Sequence, residues 1–287
     1  MKGIPVLLLL LCLGGCTSLA FTAANIPAAF GDYRREVDLP YGDESRQRLD
    51  VYVPTAPVAA GHAAVVFLYG GGWTEGEKNQ YRFVADALTR RGYVVILPDY
   101  RLYPEVRFPA FIEDAALAVR WTREHARRFN ADPEQVFLAG HSAGAHIAAM
   151  LAFDERWLEA AGGNKRWIRG FIGLSGPYDF LPITDPAVQQ VFSSLADLEE
   201  SQPIHFVDGG EPPSLLMHGN ADTRVLPTNS MHLAARIREQ HGSVSERYFA
   251  GMSHGGILAP LSVYFRDREP VLDEISLFIE AHKAERP

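Results

Sequence analysis

The sequence has 287 residues, of which 47% are hydrophobic and 22% charged, and its formal net charge is −8. This length and composition predict a sizeable core, in one large α/β domain or two small ones, and argue against a globally disordered chain. The negative charge argues against nucleic acid as a partner.

The first sixteen residues have the pattern of an export signal. Lys2 precedes an apolar run at residues 4–13 that is too short to span a membrane as a stable helix. The run ends in Leu-Gly-Gly-Cys, which resembles the lipobox of bacterial lipoproteins and implies cleavage before Cys16 and lipid attachment to it. The resemblance implies an exported protein, anchored by lipid in the bacterial cell envelope at the periplasm or outer membrane. The alternative is an ordinary secretory signal cleaved near Ala20 or Ala24.

The predicted organisation is a signal peptide over residues 1–15, a tether over 16–30 and one catalytic domain over 31–287. The tether is inferred from a composition rich in Ala, Thr and Asn. Both cysteines, Cys12 and Cys16, precede the folded domain, which is therefore predicted to have no disulfide bond.

The folded domain is predicted to begin with an antiparallel hairpin. Residues 34–39 and 47–53 alternate polar and apolar side chains around a Tyr-Gly-Asp turn, with Leu49, Val51 and Val53 on one face. Strands follow at residues 63–69, 93–97, 136–139, 168–174, 214–217 and 244–249. Helices are predicted at residues 79–91, 109–129, 143–151, 188–195, 227–240 and 270–282.

Strands that alternate with helices require crossover connections and therefore a parallel sheet. The element order predicts one three-layer α/β/α sandwich with a mostly parallel central sheet of about eight strands and an antiparallel N-terminal hairpin. Only residues 177–213 are long enough and irregular enough to form a partial lid.

The stretch Gly140-His141-Ser142-Ala143-Gly144 lies between a predicted buried strand and a predicted helix. A G-x-S-x-G sequence in a strand–turn–helix context is typical of a nucleophile elbow, in which the serine hydroxyl is exposed on a sharp turn. The helix N-terminus beneath it favours developing negative charge. The alternative interpretation is a glycine-rich turn whose serine only caps the helix.

A serine nucleophile needs a base, and the base needs an acid to orient it. His254 is the best candidate base because it follows the strand at 244–249 in a glycine-rich loop, whereas the alternative is a surface loop histidine. Asp222 directly follows the strand at 214–217 and is the preferred acid. Asp179, after the strand at 168–174, is the second candidate.

An acyl-transfer site also needs donors for an oxyanion. The sequence Tyr69-Gly-Gly-Gly-Trp73 follows the strand at 63–69. The backbone N–H groups of Gly71 and Gly72, together with that of Ala143, are predicted to form the oxyanion hole. The alternative is a flexible glycine loop.

With these segments placed, the chain from about residue 34 resembles α/β-hydrolases of the carboxylesterase and lipase type. It is most similar to small esterases related to hormone-sensitive lipase and to isoprenylcysteine methylesterase. The resemblance implies the α/β-hydrolase fold, and it implies structural ion pairs for Asp99, Arg101 and Asp114. Tyr69 departs from the family pattern, since many relatives have histidine there, and no separate helical cap is predicted before the strand at 63–69.

The sequence therefore predicts a serine hydrolase that cleaves small-molecule carboxylic esters through an acyl-enzyme, with Ser142, His254 and Asp222 as its triad. No metal or organic cofactor is needed for this chemistry. An amidase such as an arylformamidase with the same triad is the nearest alternative. A lipid-anchored scaffold that has lost the chemistry is the alternative from another class. Acyl length and oligomeric state do not follow from the sequence.

Overall fold

The computed structural model describes residues 19–56, 58–59 and 61–283, and these residues are built on one eight-stranded sheet. The strands are β1 (Tyr33–Pro40), β2 (Arg48–Pro54), β3 (His62–Leu68), β4 (Val94–Pro98), β5 (Ala131–His141), β6 (Gly170–Leu174), β7 (Ser214–Gly219) and β8 (Val244–Phe249). Their spatial order is β1-β2-β4-β3-β5-β6-β7-β8. β1 and β2 are antiparallel, β2 joins β4 in antiparallel orientation, and all later pairs are parallel.

Helices cover the sheet and connect its parallel strands. They are α1 (residues 19–28), α2 (Arg82–Thr89), α3 (Ala110–His125), α4 (Ala143–Phe153), α5 (Arg156–Ala160), α6 (Pro186–Val191), α7 (Thr228–Glu239) and α8 (Val271–His282). Every residue of β3, β4, β6 and β7 is buried. Strands that are buried on both faces have continuous apolar sequences, and this pattern predicted these four strands. The predicted three-layer fold with a mixed sheet of about eight strands is confirmed.

The predicted hairpin is present, but the burial of β2 differs from the prediction. The alternation in β2 predicted one buried face, yet residues 49–53 are all buried. Asp50 is tolerated there because Arg35 and Lys78 approach its carboxylate at 2.5 Å and 3.2 Å. A buried charge is stable only when it is paired, so this ion cluster lets a polar residue occupy the covered face.

In the segment predicted as a tether at residues 16–30, residues 19–28 form the helix α1. The ring of Phe21 lies 5.1 Å from that of Tyr81, and Ala28 is buried. Asn25 donates its side-chain amide to the backbone oxygens of residues 79 and 80, at 3.1 Å and 3.0 Å. Its side-chain oxygen accepts the N–H of Phe83 at 2.9 Å.

Helix α1 is therefore docked on the start of α2. Residues 21, 24, 25 and 28 follow the helical spacing i, i+3, i+4, i+7 and form one contact face. This face contains only one large apolar side chain, that of Phe21. The sequence therefore lacks the apolar periodicity of a packed helix, and its composition resembles that of a linker. The predicted signal peptide at residues 1–15 and the lipidation site Cys16 lie outside the described residues and stay predictions. In the described part of the chain, none of the helices has the length and apolar character needed to cross a membrane.

The irregular segment between β6 and β7 is attached to the rest of the domain by hydrogen bonds. It contains α6 and two short 3-10 turns, Leu198–Ser201 and Pro203–Phe206. The side chain of Asn229 on α7 accepts the N–H groups of Tyr178 and Asp179 at 2.8 Å and 3.0 Å. This β6–β7 segment, predicted as a partial lid, is thus fixed to α7 at its beginning.

Candidate active site

Ser142 stands between β5 and α4 in a backbone conformation that L-residues rarely adopt, with φ 55° and ψ −125°. Such strain costs on the order of 1–3 kcal/mol and persists only where the surroundings enforce it. The N–H of Ser142 donates to the carbonyl of Leu174 at the end of β6, at 2.9 Å. This bond fixes the turn against the sheet and leaves the side chain at the N-terminus of α4.

The two glycines of the elbow are required by close approach. A Cβ on Gly140 would overlap the backbone of Gly144, and a Cβ on Gly144 would overlap the carbonyl oxygens of Leu68 and Tyr69. Any side chain at either position would push α4 away from β3 or open the turn. The G-x-S-x-G pattern is therefore explained by packing as well as by turn geometry.

The structure brings Ser142, His254 and Asp222 together from three distant loops. Nε2 of His254 lies 2.8 Å from Oγ of Ser142, and Nδ1 lies 2.7 Å from Oδ2 of Asp222. Because a carboxylate only accepts hydrogen bonds, Nδ1 carries the proton and Nε2 can accept the serine hydroxyl. This is the arrangement that lets an imidazole remove a proton from a serine.

Backbone contacts hold these loops against one another. The N–H groups of Asn220 and Ala221 donate to the carbonyls of Phe249 and Met252, at 2.9 Å and 3.0 Å. Nε2 of His141 on β5 lies 3.0 Å from the carbonyl of His254 itself. The acid loop (residues 220–227), the histidine loop (residues 250–255) and the serine turn are thus joined independently of the side-chain contacts among Ser142, His254 and Asp222.

Asp222 is a buried carboxylate with donors around both oxygens. Oδ1 accepts the N–H groups of Arg224 and Val225 at 2.9 Å and 3.0 Å, while Oδ2 faces His254 and, at 3.3 Å, Nε2 of His218. Burial alone would raise the pKa of Asp222, but the hydrogen bonds from His218, His254 and Val225 lower it below its ordinary value. The carboxylate is therefore ionised at neutral pH.

The second candidate acid, Asp179, lies elsewhere. Its Oδ2 is 2.6 Å from Nδ1 of His232 on α7, and both side chains are substantially exposed. His254 has Asp222 on its Nδ1, so Asp179 is not the group that orients it in this structure.

The glycine loop after β3 passes beside Ser142. A Cβ on Gly70 would come within 3.0 Å of Cβ of Ser142, and a Cβ on Gly71 would overlap the carbonyl oxygen of Glu75. The N–H of Gly70 donates to the hydroxyl of Tyr81 at 3.2 Å. Among the described residues, no hydrogen-bond acceptor takes the N–H of Gly71, Gly72 or Ala143. These three N–H groups are those that the sequence predicted as oxyanion donors.

Tyr69, at the position where many relatives carry histidine, has a bracing role. Its ring stacks on that of Tyr100 at 4.5 Å, and its hydroxyl accepts from Arg46 at 2.8 Å. Arg101 contacts the buried Asp114 through Nη2 at 2.7 Å. The expectation that Asp99, Arg101 and Asp114 form structural ion pairs agrees with these contacts, since Arg46 and Lys78 lie 3.8 Å and 3.9 Å from Asp99.

A buried histidine that the sequence interpretation left without a role links the glycine loop to the β6–β7 segment. Nδ1 of His146 on α4 accepts the indole N–H of Trp73 at 3.3 Å, and Nε2 donates to the carbonyl of Ser201 at 2.8 Å. Trp73 has a positive φ of 61°. Its indole is thus fixed on α4. No local pattern could have indicated this contact, because the three residues are far apart in sequence.

Two buried histidines make stability depend on pH. Burial, and then the nearby His254, lower the pKa of His141 to about 3, and burial lowers the pKa of His146 to about 4. In the unfolded chain both would protonate near pH 6.5. Between pH 6.5 and about 4 the unfolded state binds more protons, so the free energy of unfolding falls as pH falls. We expect a loss approaching about 1.4 kcal/mol per pH unit for each histidine, measurable by denaturant unfolding from pH 7 to pH 5.

The matched variants for this prediction are His146→Gln and His205→Gln. Glutamine cannot titrate, so replacing the buried His146 should make the stability curve distinctly flatter. His205→Gln makes the same chemical change at an exposed position and serves as the matched comparison. Equal slopes in both variants would contradict the prediction.

The sequence model of the family described as BD-FAE matches residues 49–237 of the chain. The match includes the glycine loop, the serine turn and Asp222, and it ends before His254. Two curated relatives are similar over most of this chain. A probable isoprenylcysteine alpha-carbonyl methylesterase of Arabidopsis thaliana is 27% identical over 247 residues, covering 78% of this chain and 52% of its own length.

Esterase LipC of Mycobacterium tuberculosis is 28% identical over 238 residues, covering 75% of this chain and 56% of its own length. The chain therefore spans about half the length of these relatives. Among solved structures, esterase B from Lactobacillus rhamnosis superimposes with a TM-score of 0.80 at 21% identity, covering 96% of this chain and 94% of that one. That likeness supports the α/β-hydrolase fold.

Proposed function

The chain belongs to the BD-FAE family, and from this membership and the geometry around Ser142 we propose that it is a serine hydrolase that cleaves small-molecule carboxylic esters. The observation that carries the proposal is the continuous set of contacts from Ser142 Oγ to His254 at 2.8 Å and from His254 to Asp222 at 2.7 Å. A serine hydroxyl on one ring nitrogen and an ionised carboxylate on the other are the two contacts that a histidine acting as general base requires.

In the proposed mechanism Oγ of Ser142 attacks the ester carbonyl carbon while Nε2 of His254 takes the hydroxyl proton. Asp222 stabilises the resulting imidazolium and holds its orientation. The N–H groups of Gly71, Gly72 and Ala143 stabilise the oxyanion of the tetrahedral intermediate.

The acyl-enzyme forms when the carbon–oxygen bond to the alcohol breaks and His254 gives its proton to the leaving oxygen. A water molecule then attacks the acyl carbon and passes a proton to His254. When the bond to Ser142 breaks, His254 returns this proton to Oγ and the carboxylic acid leaves. Every proton transfer in these reaction steps passes through one imidazole nitrogen, Nε2 of His254.

The relatives support an ester as the substrate class. Two of them are named as a methylesterase and an esterase. This chain spans only about half of their length, and the proposal takes from them the reaction class alone.

The proposal is tested with the purified full chain on p-nitrophenyl acetate and, in parallel, on N-formylkynurenine. We expect the ester to be hydrolysed with the higher kcat/KM, and a fluorophosphonate probe to label Ser142, as found by mass spectrometry of the peptide that contains it. A higher kcat/KM on the formamide would assign an amidase instead. Absence of both turnover and labelling would leave a non-catalytic protein with this fold.

A further inference from the structure

His218 is a fully buried histidine outside the proposed triad whose ring contacts the acid loop. It lies near the end of β7, four residues before Asp222. Nε2 lies 2.9 Å from the carbonyl of Val225 and 3.3 Å from Oδ2 of Asp222, while Nδ1 lies 2.8 Å from the hydroxyl of Ser230 on α7. All three partners belong to the acid loop and the helix that follows it.

These partners determine where the ring carries its proton. A carbonyl oxygen and a carboxylate oxygen both accept hydrogen bonds only, so Nε2 must be protonated. In the neutral ring Nδ1 then accepts the hydroxyl proton of Ser230. The opposite tautomer would place the Nε2 lone pair against two oxygens, so these two oxygens select the form that donates towards Asp222.

The contacts of His218 constrain Asp222 in two ways. The bond to the Val225 carbonyl closes the acid loop, whose N–H at residue 225 holds Oδ1 of Asp222. The second contact reaches Oδ2, the same oxygen that accepts from His254. One buried ring therefore fixes the loop and faces the carboxylate oxygen that is used in the triad.

We propose that His218 is a positioning residue, which holds Asp222 in the orientation that directs Oδ2 at His254. The inference rests on the proposed function, in which His254 is the base. His218 does not touch Ser142, so its effect passes through Asp222 and should appear in kcat with little change in KM.

The test compares His218→Gln with His218→Asn. A glutamine amide can place an N–H where Nε2 stands, whereas the shorter asparagine reaches only the position of Nδ1. We expect His218→Asn to lower kcat for p-nitrophenyl acetate by about 10- to 100-fold, the loss expected for a hydrogen bond to a charged group, with KM within about twofold. His218→Gln should recover most of that loss.

The control is His232→Leu, which removes a histidine–aspartate contact outside the proposed triad, that with Asp179. It should leave kcat within about twofold. A second readout, independent of turnover, is the low-field proton resonance of the His254 Nδ1–H, which should shift in His218→Asn and return towards the wild-type position in His218→Gln.

A folded His218→Asn enzyme with unchanged kcat and resonance, or a glutamine variant as impaired as the asparagine one, would overturn the inference. If His218→Asn does not fold, Ser230→Ala takes its place. It removes the hydroxyl that holds Nδ1 of His218, so the ring is less firmly oriented. It should lower kcat severalfold and shift the same resonance, and no change in either overturns the proposal. A failure of the proposed function is distinct, because the wild type itself would then not hydrolyse the ester.

Discussion

Ser142→Ala is expected to reduce kcat for ester hydrolysis by about 10⁴- to 10⁶-fold, the loss seen when a catalytic serine is removed while the oxyanion donors stay in place. Only the nucleophilic oxygen is lost, so binding and the backbone of the turn persist. The wild-type chain and the variant are compared in steady-state turnover of p-nitrophenyl acetate, with circular dichroism and thermal unfolding to compare their folds.

The matched control is Ser214→Ala. Ser214 is also buried, and its hydroxyl donates to the carbonyl of Pro212 at the amino end of β7, the opposite edge of the sheet from Ser142. Its kcat should stay within about twofold of the wild-type value, because among the described residues its hydroxyl bonds to Pro212 and to no residue of the proposed triad. Activity retained in Ser142→Ala, together with a phosphonate adduct on another serine, would contradict the assignment of Ser142 as nucleophile.

The succession of strands and helices and the mostly parallel sheet could be predicted because each element depends on local sequence. A continuous apolar run indicates a strand buried on both faces, and the carboxyl ends of parallel strands share one edge of a sheet. Residues that follow β5, β7 and β8 must therefore lie near one another. The topology alone therefore predicts that His254 and Asp222 lie near Ser142.

The choice between two acids was harder to make from sequence. Asp179 and Asp222 both follow strands of the same sheet, and a carboxylate at either place is topologically possible. The decision depends on loop closure: residues 220 and 221 bond to the histidine loop, whereas Asn229 holds residue 179 towards α7. Contacts of this kind join segments that are distant in sequence, so they leave no periodic signal.

Helix α1 and the buried charge of β2 were not predicted, for related reasons. The contact face of α1 has only one large apolar residue, Phe21, and owes much of its attachment to the amide of Asn25. Asp50 is buried only because Arg35 and Lys78 come from elsewhere in the chain. Composition and alternation describe single segments, whereas polar attachment depends on the partner that tertiary folding supplies.

The choice between the two acids leads to a second prediction of large effect. Asp222→Asn is expected to lower kcat by about 10⁴-fold, as when an aspartate that orients a catalytic histidine is replaced by its amide. The side-chain oxygen of asparagine can still accept the N–H groups of Arg224 and Val225. Its amide then faces Nδ1 of His254 as a donor, so the ring must expose its lone pair there and carry its proton on Nε2, where it cannot accept from Ser142.

Asp179→Asn is the matched control, since it makes the same chemical change in the second candidate acid, which follows β6 of the same sheet. Its carboxylate contacts the exposed His232 and should be replaceable with kcat changed by no more than about threefold, because partly exposed pairs contribute little. Both variants are measured for turnover and for phosphonate labelling of Ser142. The labelling rate should fall with kcat in Asp222→Asn, because phosphonylation also requires a base. A large loss in Asp179→Asn with Asp222→Asn nearly as active as the wild type would exchange the two assignments, and would mean that the loop after β6 supplies the acid during turnover.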